Sequence, residues 1–168
     1  MTRTLFTGGL VYDGTTAAPT EGDVVVEDGR IVEVGTGLDG DEAVDCSGGF
    51  VSPGFFDCHV HVVMDTPNFV DIIESPFSLQ FFRAAVNLRK TLDTGVTSVR
   101  DAGGADLGVR TAVERGLIPG PRMQISIIML SQTGGHGDDW SVCGAEIPVF
   151  LPHPGRPSGV VDGPDEVR

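Results

Sequence analysis

Two histidines and a carboxylate occupy alternate positions in the run Pro53-Gly54-Phe55-Phe56-Asp57-Cys58-His59-Val60-His61. Side chains on an extended strand alternate between faces, so Asp57, His59 and His61 share one face. Two imidazoles side by side, with a carboxylate one step behind, suit a divalent metal ion. The plain alternative is a pair of polar residues on a wet strand face. The flanks argue against it: Val51-Ser52-Pro53-Gly54 is a turn that fixes strand entry, and Val62-Val63 continues the run as a buried strand would. Cys58 and Val60 fall on the opposite face, where Cys58 reads as a small buried side chain rather than a nucleophile.

The elements that must carry these residues change character near position 50. Residues 1–50 read as a small antiparallel β unit. Within it, Val24–Glu27 and Arg30–Val34 flank Asp28-Gly29, the preferred two-residue hairpin turn. Leu5-Phe6 and Gly9–Tyr12 give a further strand pair, and Ala43–Cys46 another strand. No helical period is evident before residue 70. From residue 51 the order becomes strand (Phe55–Val62), helix (Phe77–Thr94), strand (Val96–Val99), helix (Ala105–Arg115), strand (Met123–Leu130). Phe77, Phe81, Phe82, Ala85, Leu88 and Leu92 fit one helical face, and Gly95 and Gly116 suit helix stops. Alternation of this kind predicts parallel strands joined by crossover helices. Residues 131–163 are a long segment rich in glycine and proline, too irregular for an ordinary connection. Pro164–Arg168 reads as a helix start, with acids placed well for the helix dipole.

The motif Asp57-Cys58-His59-Val60-His61 after Pro53-Gly54 resembles the first-strand metal motif of the amidohydrolase superfamily. Gly95–Asp101 resembles that family's second barrel strand, and Thr133-Gly134-Gly135-His136-Gly137-Asp138 the loop after its third. These last two features resemble the branch holding prolidase-like peptidases and imidazolonepropionase-like enzymes. The resemblance implies an α/β fold: the first three strands of an incomplete (β/α)8 TIM barrel over residues 51–168, preceded by a small β-sandwich subdomain over 1–50. It makes 131–163 a βα loop on the barrel face where active sites lie.

The resemblance also implies chemistry. His59 and His61 become ligands to a divalent metal, most plausibly Zn²⁺, through neutral imidazole nitrogen. Asp57 becomes a supporting carboxylate that accepts the other ring N–H and fixes the tautomer. The family's bridging lysine and its remaining histidines and aspartate belong to later strands, so one or two ions fit equally. Lys90, the only lysine, sits on a helix and does not stand in for the bridge. His136 is expected either to contact substrate or to serve loop structure. Arg100 and Asp101, at the end of the second strand, either line the site or form an ion pair. His153, between two prolines, reads as a solvated loop residue.

Composition narrows partners. The formal charge is −13, from 24 acids against 11 bases. That balance lacks the basic footprint of a nucleic-acid or anionic-membrane binder. Cys46, Cys58 and Cys143 are widely spaced and form no Cys-x-x-Cys pair, so no thiolate zinc site or disulfide framework is expected. No signal peptide or membrane span is recognised, which makes a cytoplasmic location the default. Gly103-Gly104 follows a strand, but Val109 stands where a phosphate loop needs lysine. No Gly-x-Ser-x-Gly elbow occurs.

The expectation is therefore a metal-dependent hydrolase of carbon–nitrogen bonds in amides, peptides or cyclic amides. Its substrate would be a small molecule or dipeptide, and a homo-oligomer of the longer protein is compatible with it. Three parallel strands cannot close a barrel, so the chain is expected to be the N-terminal portion of a longer amidohydrolase. The rival is a non-catalytic remnant, or a piece that needs a complementary chain.

Overall fold

A computed structural model describes residues 2–15 and 18–168, and the chain divides into two units between Pro53 and Gly54. In the first unit β1 (Arg3–Val11), β2 (Thr20–Glu27), β3 (Arg30–Gly35), β4 (Glu42–Asp45) and β5 (Phe50–Val51) form one hydrogen-bonded sheet. Asp28 and Gly29 both adopt positive φ, 51° and 72°, which matches the twist of the flanking strands and closes the β2–β3 hairpin. The antiparallel expectation holds for β1, β2 and β3 only, because β4 and β5 run parallel to β1. Two short strands expected over residues 5–12 are one strand, β1, with an irregularity between Phe6 and Gly9. Gly8 there has φ 78°, a conformation glycine adopts at little cost, so the strand kinks without ending. Pairing of β5 with β1 carries the first unit past residue 50.

The second unit begins with β6 (Phe55–Val60), followed by α1 (Phe69–Glu74) and α2 (Leu79–Asp93). Next come β7 (Val96–Asp101), α3 (Leu107–Glu114), β8 (Arg122–Ile125) and α4 (Pro164–Val167). β6, β7 and β8 pair in that order, all parallel. α2 packs on β7 and α3 on β8. The core between them joins Ala84 and Leu88 of α2 to Val99, Val109, Met123 and Phe150. Leu88 is fully buried, and its truncation to Ala would cost about 2–5 kcal/mol through lost transfer energy and a cavity. Asn87 fastens α2 to the chain beyond β6, donating to the Val62 and Met64 carbonyls at 3.0 Å each.

Three differences from the sequence expectation have physical causes. α1 was not expected, since six residues are too few to show a period, yet Asn68 caps it by accepting from Val70 N at 3.1 Å. The third parallel strand stops at Ile125 instead of Leu130. Ile127 takes φ 68° and turns the chain, a conformation uncommon for a β-branched residue. The turn is held by Gly104 N donating to Ile127 O at 3.0 Å. Finally, β6 is not a buried strand: Phe55, Phe56, Asp57, Cys58 and His59 are all exposed. β6 is an edge of the three-stranded sheet, so alternation places Cys58 against no core.

Candidate functional site

The site grows from a defect in β6. Asp57 pairs with Val99 and Val60 with Asp101, so three steps along β6 oppose two along β7. This extra residue is a bulge, which leaves backbone groups unpaired and re-aims side chains. Flanking side chains meet those groups. Arg100 Nε donates to the Cys58 carbonyl at 2.8 Å, and His59 N donates to Asp57 Oδ1 at 3.1 Å. Arg100 and Asp57 thus hold the backbone around His59. Asp57 accepts from a main-chain amide rather than from an imidazole.

His61 lies just past the end of β6, and its Nδ1 is 2.8 Å from the carbonyl oxygen of Gly103. A carbonyl only accepts, so Nδ1 carries a proton, and in the neutral ring Nε2 then presents the lone pair. His59 and His61 are brought together, with ring centroids 5.3 Å apart and planes at 81°. The Gly103 carbonyl is in turn set by Asp101. That side chain is fully buried and accepts three main-chain N–H groups: Val62 at 2.8 Å, Gly103 at 3.0 Å and Ala105 at 3.1 Å. Asp101 ties the β6 exit to the β7 exit, and it borders the recess that His59 and Arg100 line. Burial pushes its carboxyl pKa above the ordinary range, and the three amides pull partly the other way.

The two histidines open on different recesses. His59 and Arg100 line one of about 660 Å³ with Gln124, Ile128 and Leu130. His61 and His136 line another of about 520 Å³. His153 stands away from both, its side chain 10% exposed and packed against Phe77 and Phe81 rather than solvated. Among the described residues, no three of His, Cys, Asp and Glu are grouped to hold a metal ion.

Residues 50–168 match the Amidohydrolase family. The chain belongs to the amidohydrolase family. Ochratoxinase of Aspergillus niger is 35% identical over 128 residues, covering 69% of this chain and 26% of that protein. Dihydroorotase of Lactobacillus helveticus is 41% identical over 59 residues, 35% of this chain and 13% of the enzyme. Among solved structures, a prolidase complexed with N-methylphosphonate-L-proline superposes with TM-score 0.80 at 40% identity, covering 98% of this chain and 42% of that one. The A. niger ochratoxinase structure gives 0.78 at 26% identity, with 98% and 42% covered. The amidohydrolase chain thus spans about two fifths of the length of these structural neighbours, and a mixed α/β fold is common to them.

Sequence reading missed two features around these histidines. One is the Gly103 carbonyl, whose signal is the Gly103-Gly104 pair after the second parallel strand. The other is Arg156, 2% exposed. Its guanidinium donates to the carbonyls of Gly104 and Leu151 and to Gln80 Oε1, and lies 5.5 Å from the Phe150 ring centre. Burial lowers its pKa, with Asp106 and Asp101 opposing. No helix among the described residues is long and apolar enough to cross a membrane.

Proposed function

We propose that the complete protein is a metal-dependent hydrolase of carbon–nitrogen bonds, and that this chain supplies two of its metal ligands. In this reading β6, β7 and β8 are the first three strands of a (β/α)8 barrel, and the five-stranded unit is the accompanying sandwich. The observation that carries it is the pair His59 and His61, 5.3 Å apart, with the His61 tautomer fixed by Gly103. In the neutral ring, a carbonyl on Nδ1 selects the tautomer with Nε2 free to bind a metal, and outer hydrogen bonds of this kind orient ligating histidines.

The donor set fits the group in part. Two neutral imidazoles suit Zn²⁺, and further ligands would come from later strands. A catalytic zinc, when bound, lowers the pKa of its water to about 7 and so supplies hydroxide at neutral pH. His136 would face the substrate across the recess it shares with His61. Arg100 and Asp101 act through the backbone. Substrates of the small amide or dipeptide class accord with the prolidase and ochratoxinase neighbours.

The test is zinc stoichiometry and dipeptide hydrolysis by the complete protein, with His59→Ala and His61→Ala alongside. The reading expects loss of zinc and of turnover in both variants. Unchanged zinc content in both would refute it. A second reading has support in the exposed edge strand β6, where Phe55 and Phe56 are 63% and 72% exposed: the remaining strands come from a separate, complementary chain. The reading frame beyond Arg168 separates the two, since continuous family sequence favours one chain and a stop favours two.

A further inference from the structure

The recess beside His61 has a chemical character that the metal motif does not explain. Its wall is formed by Met64, Met129, Trp140, Ile147, Val149 and Phe150. The carboxylates and the hydroxyl around it are already engaged. Asp139 Oδ1 accepts from Val149 N at 3.3 Å, and the Asp139 carbonyl accepts from Ile147 N at 2.9 Å. Asp138 Oδ2 accepts from Gly134 N at 2.6 Å, and Ser141 Oγ donates to the Ala145 carbonyl at 2.8 Å. These bonds fold the acidic turn onto itself, so that apart from His61 and His136 mainly carbon faces the recess. Phe150 joins that wall to the histidines, with its ring centre 5.6 Å from that of His61.

We propose that this recess binds the apolar side chain of an amide substrate, a large aliphatic or aromatic group. The inference rests on the hydrolase reading for what happens to the bound amide, but not for binding itself. A volume of about 520 Å³ is within the range of small-molecule sites and exceeds what a methyl group needs. Met64 and Met129 give the wall side chains that adapt to differing shapes. Trp140, 65% exposed, offers a flat apolar surface that a ring or branched chain would cover. Asp138 and Asp139 at the rim set a negative field, which disfavours acidic side chains.

Trp140 is the only tryptophan, so its fluorescence reports on this recess alone. The chain is titrated with N-acetyl-L-phenylalaninamide, N-acetylglycinamide and N-acetyl-L-glutamic acid α-amide. The proposal expects saturable Trp140 changes, with the phenylalanine compound binding about tenfold or more tightly than glycine, from the apolar area it buries. The glutamate compound should be the weakest. Ile147→Asp should abolish the preference at unchanged melting temperature, and Ile147→Ser serves if the aspartate variant unfolds. Equal affinities for phenylalanine and glycine would overturn the proposal. So would a Trp140 signal insensitive to all three, the outcome expected if another segment of the protein fills the recess. A phenylalanine preference without zinc binding would sink the hydrolase reading alone; zinc binding without the preference would sink this one alone.

Discussion

The Nδ1 nitrogen of His61 and the carbonyl oxygen of Gly103 lie 2.8 Å apart, linking the exits of the first two parallel strands. Because the carbonyl fixes the proton on Nδ1, the tautomer is a property of the fold before any ion arrives. Nitrogen-15 spectra of the metal-free chain should show His61 protonated at Nδ1 and bare at Nε2. His61→Asn, whose amide can still donate to Gly103, should melt near the parent temperature yet lose zinc. A neutral His61 ring protonated at Nε2 alone would contradict the bond.

Asp101 predicts a large cost for a small change. Its two oxygens serve three buried N–H groups, and an amide in its place must turn an NH₂ toward one of them. Asp101→Asn should destabilise by about 1–3 kcal/mol, the cost of an unmet buried donor. Denaturant melts of parent and variant measure it. A variant as stable as the parent would mean that the three bonds contribute little.

The same reasoning applies to Arg156. Arg156→Met removes the donors to Gly104, Leu151 and Gln80 together, which should cost at least the roughly 1.5–3 kcal/mol of one charge-assisted bond. Arg156→Lys should not rescue, because an ammonium lacks the planar fork that reaches separate acceptors. Chemical denaturation of both variants decides it.

His153 predicts a pH dependence. Its Nδ1 accepts from Gly155 N at 3.1 Å, while Nε2 is buried without a partner, 4.0 Å from Asp106 Oδ2. Burial and Arg156 lower its pKa below the ordinary histidine value, with Asp106 opposing. The unfolded chain then takes up a proton more readily than the folded one. Stability attributable to His153 is full above about pH 6.5 and declines as pH falls toward the lowered value, by at most about 1.4 kcal/mol per pH unit. His153→Phe should flatten the melting temperature between about pH 7 and pH 5.5, and an unflattened profile would point to other groups.

What was legible in the sequence was whatever a short local pattern encodes. The Asp28-Gly29 hairpin, the α2 and α3 helices and the pairing of His59 with His61 all follow from spacing of neighbours along the chain. What was not legible depends on partners far away in sequence. The bulge at Asp57–Val60 exists in the register against β7, and nothing in Asp57-Cys58-His59 announces it. Charge at a strand end singles out Arg100 and Asp101, but their bonding partners are backbone groups, which carry no sequence signature. Arg156 is hidden for a similar reason, since a lone arginine in a proline-rich stretch reads as surface.

The segment that follows β8 is fastened at its base. Ser131 N donates to the Gly159 carbonyl at 2.9 Å and Val161 N to the Ser131 carbonyl at 2.8 Å, while Asp162 takes both the amide and the hydroxyl of Thr133. With its two ends clasped, the excursion between them presents two nearly coincident attachment points. Closing a loop on such a base costs little more as the loop lengthens. The part bearing Trp140 and Ile147 thus hangs from a closed base, and a change in its length would leave the clasp at Ser131, Thr133 and Asp162 in place.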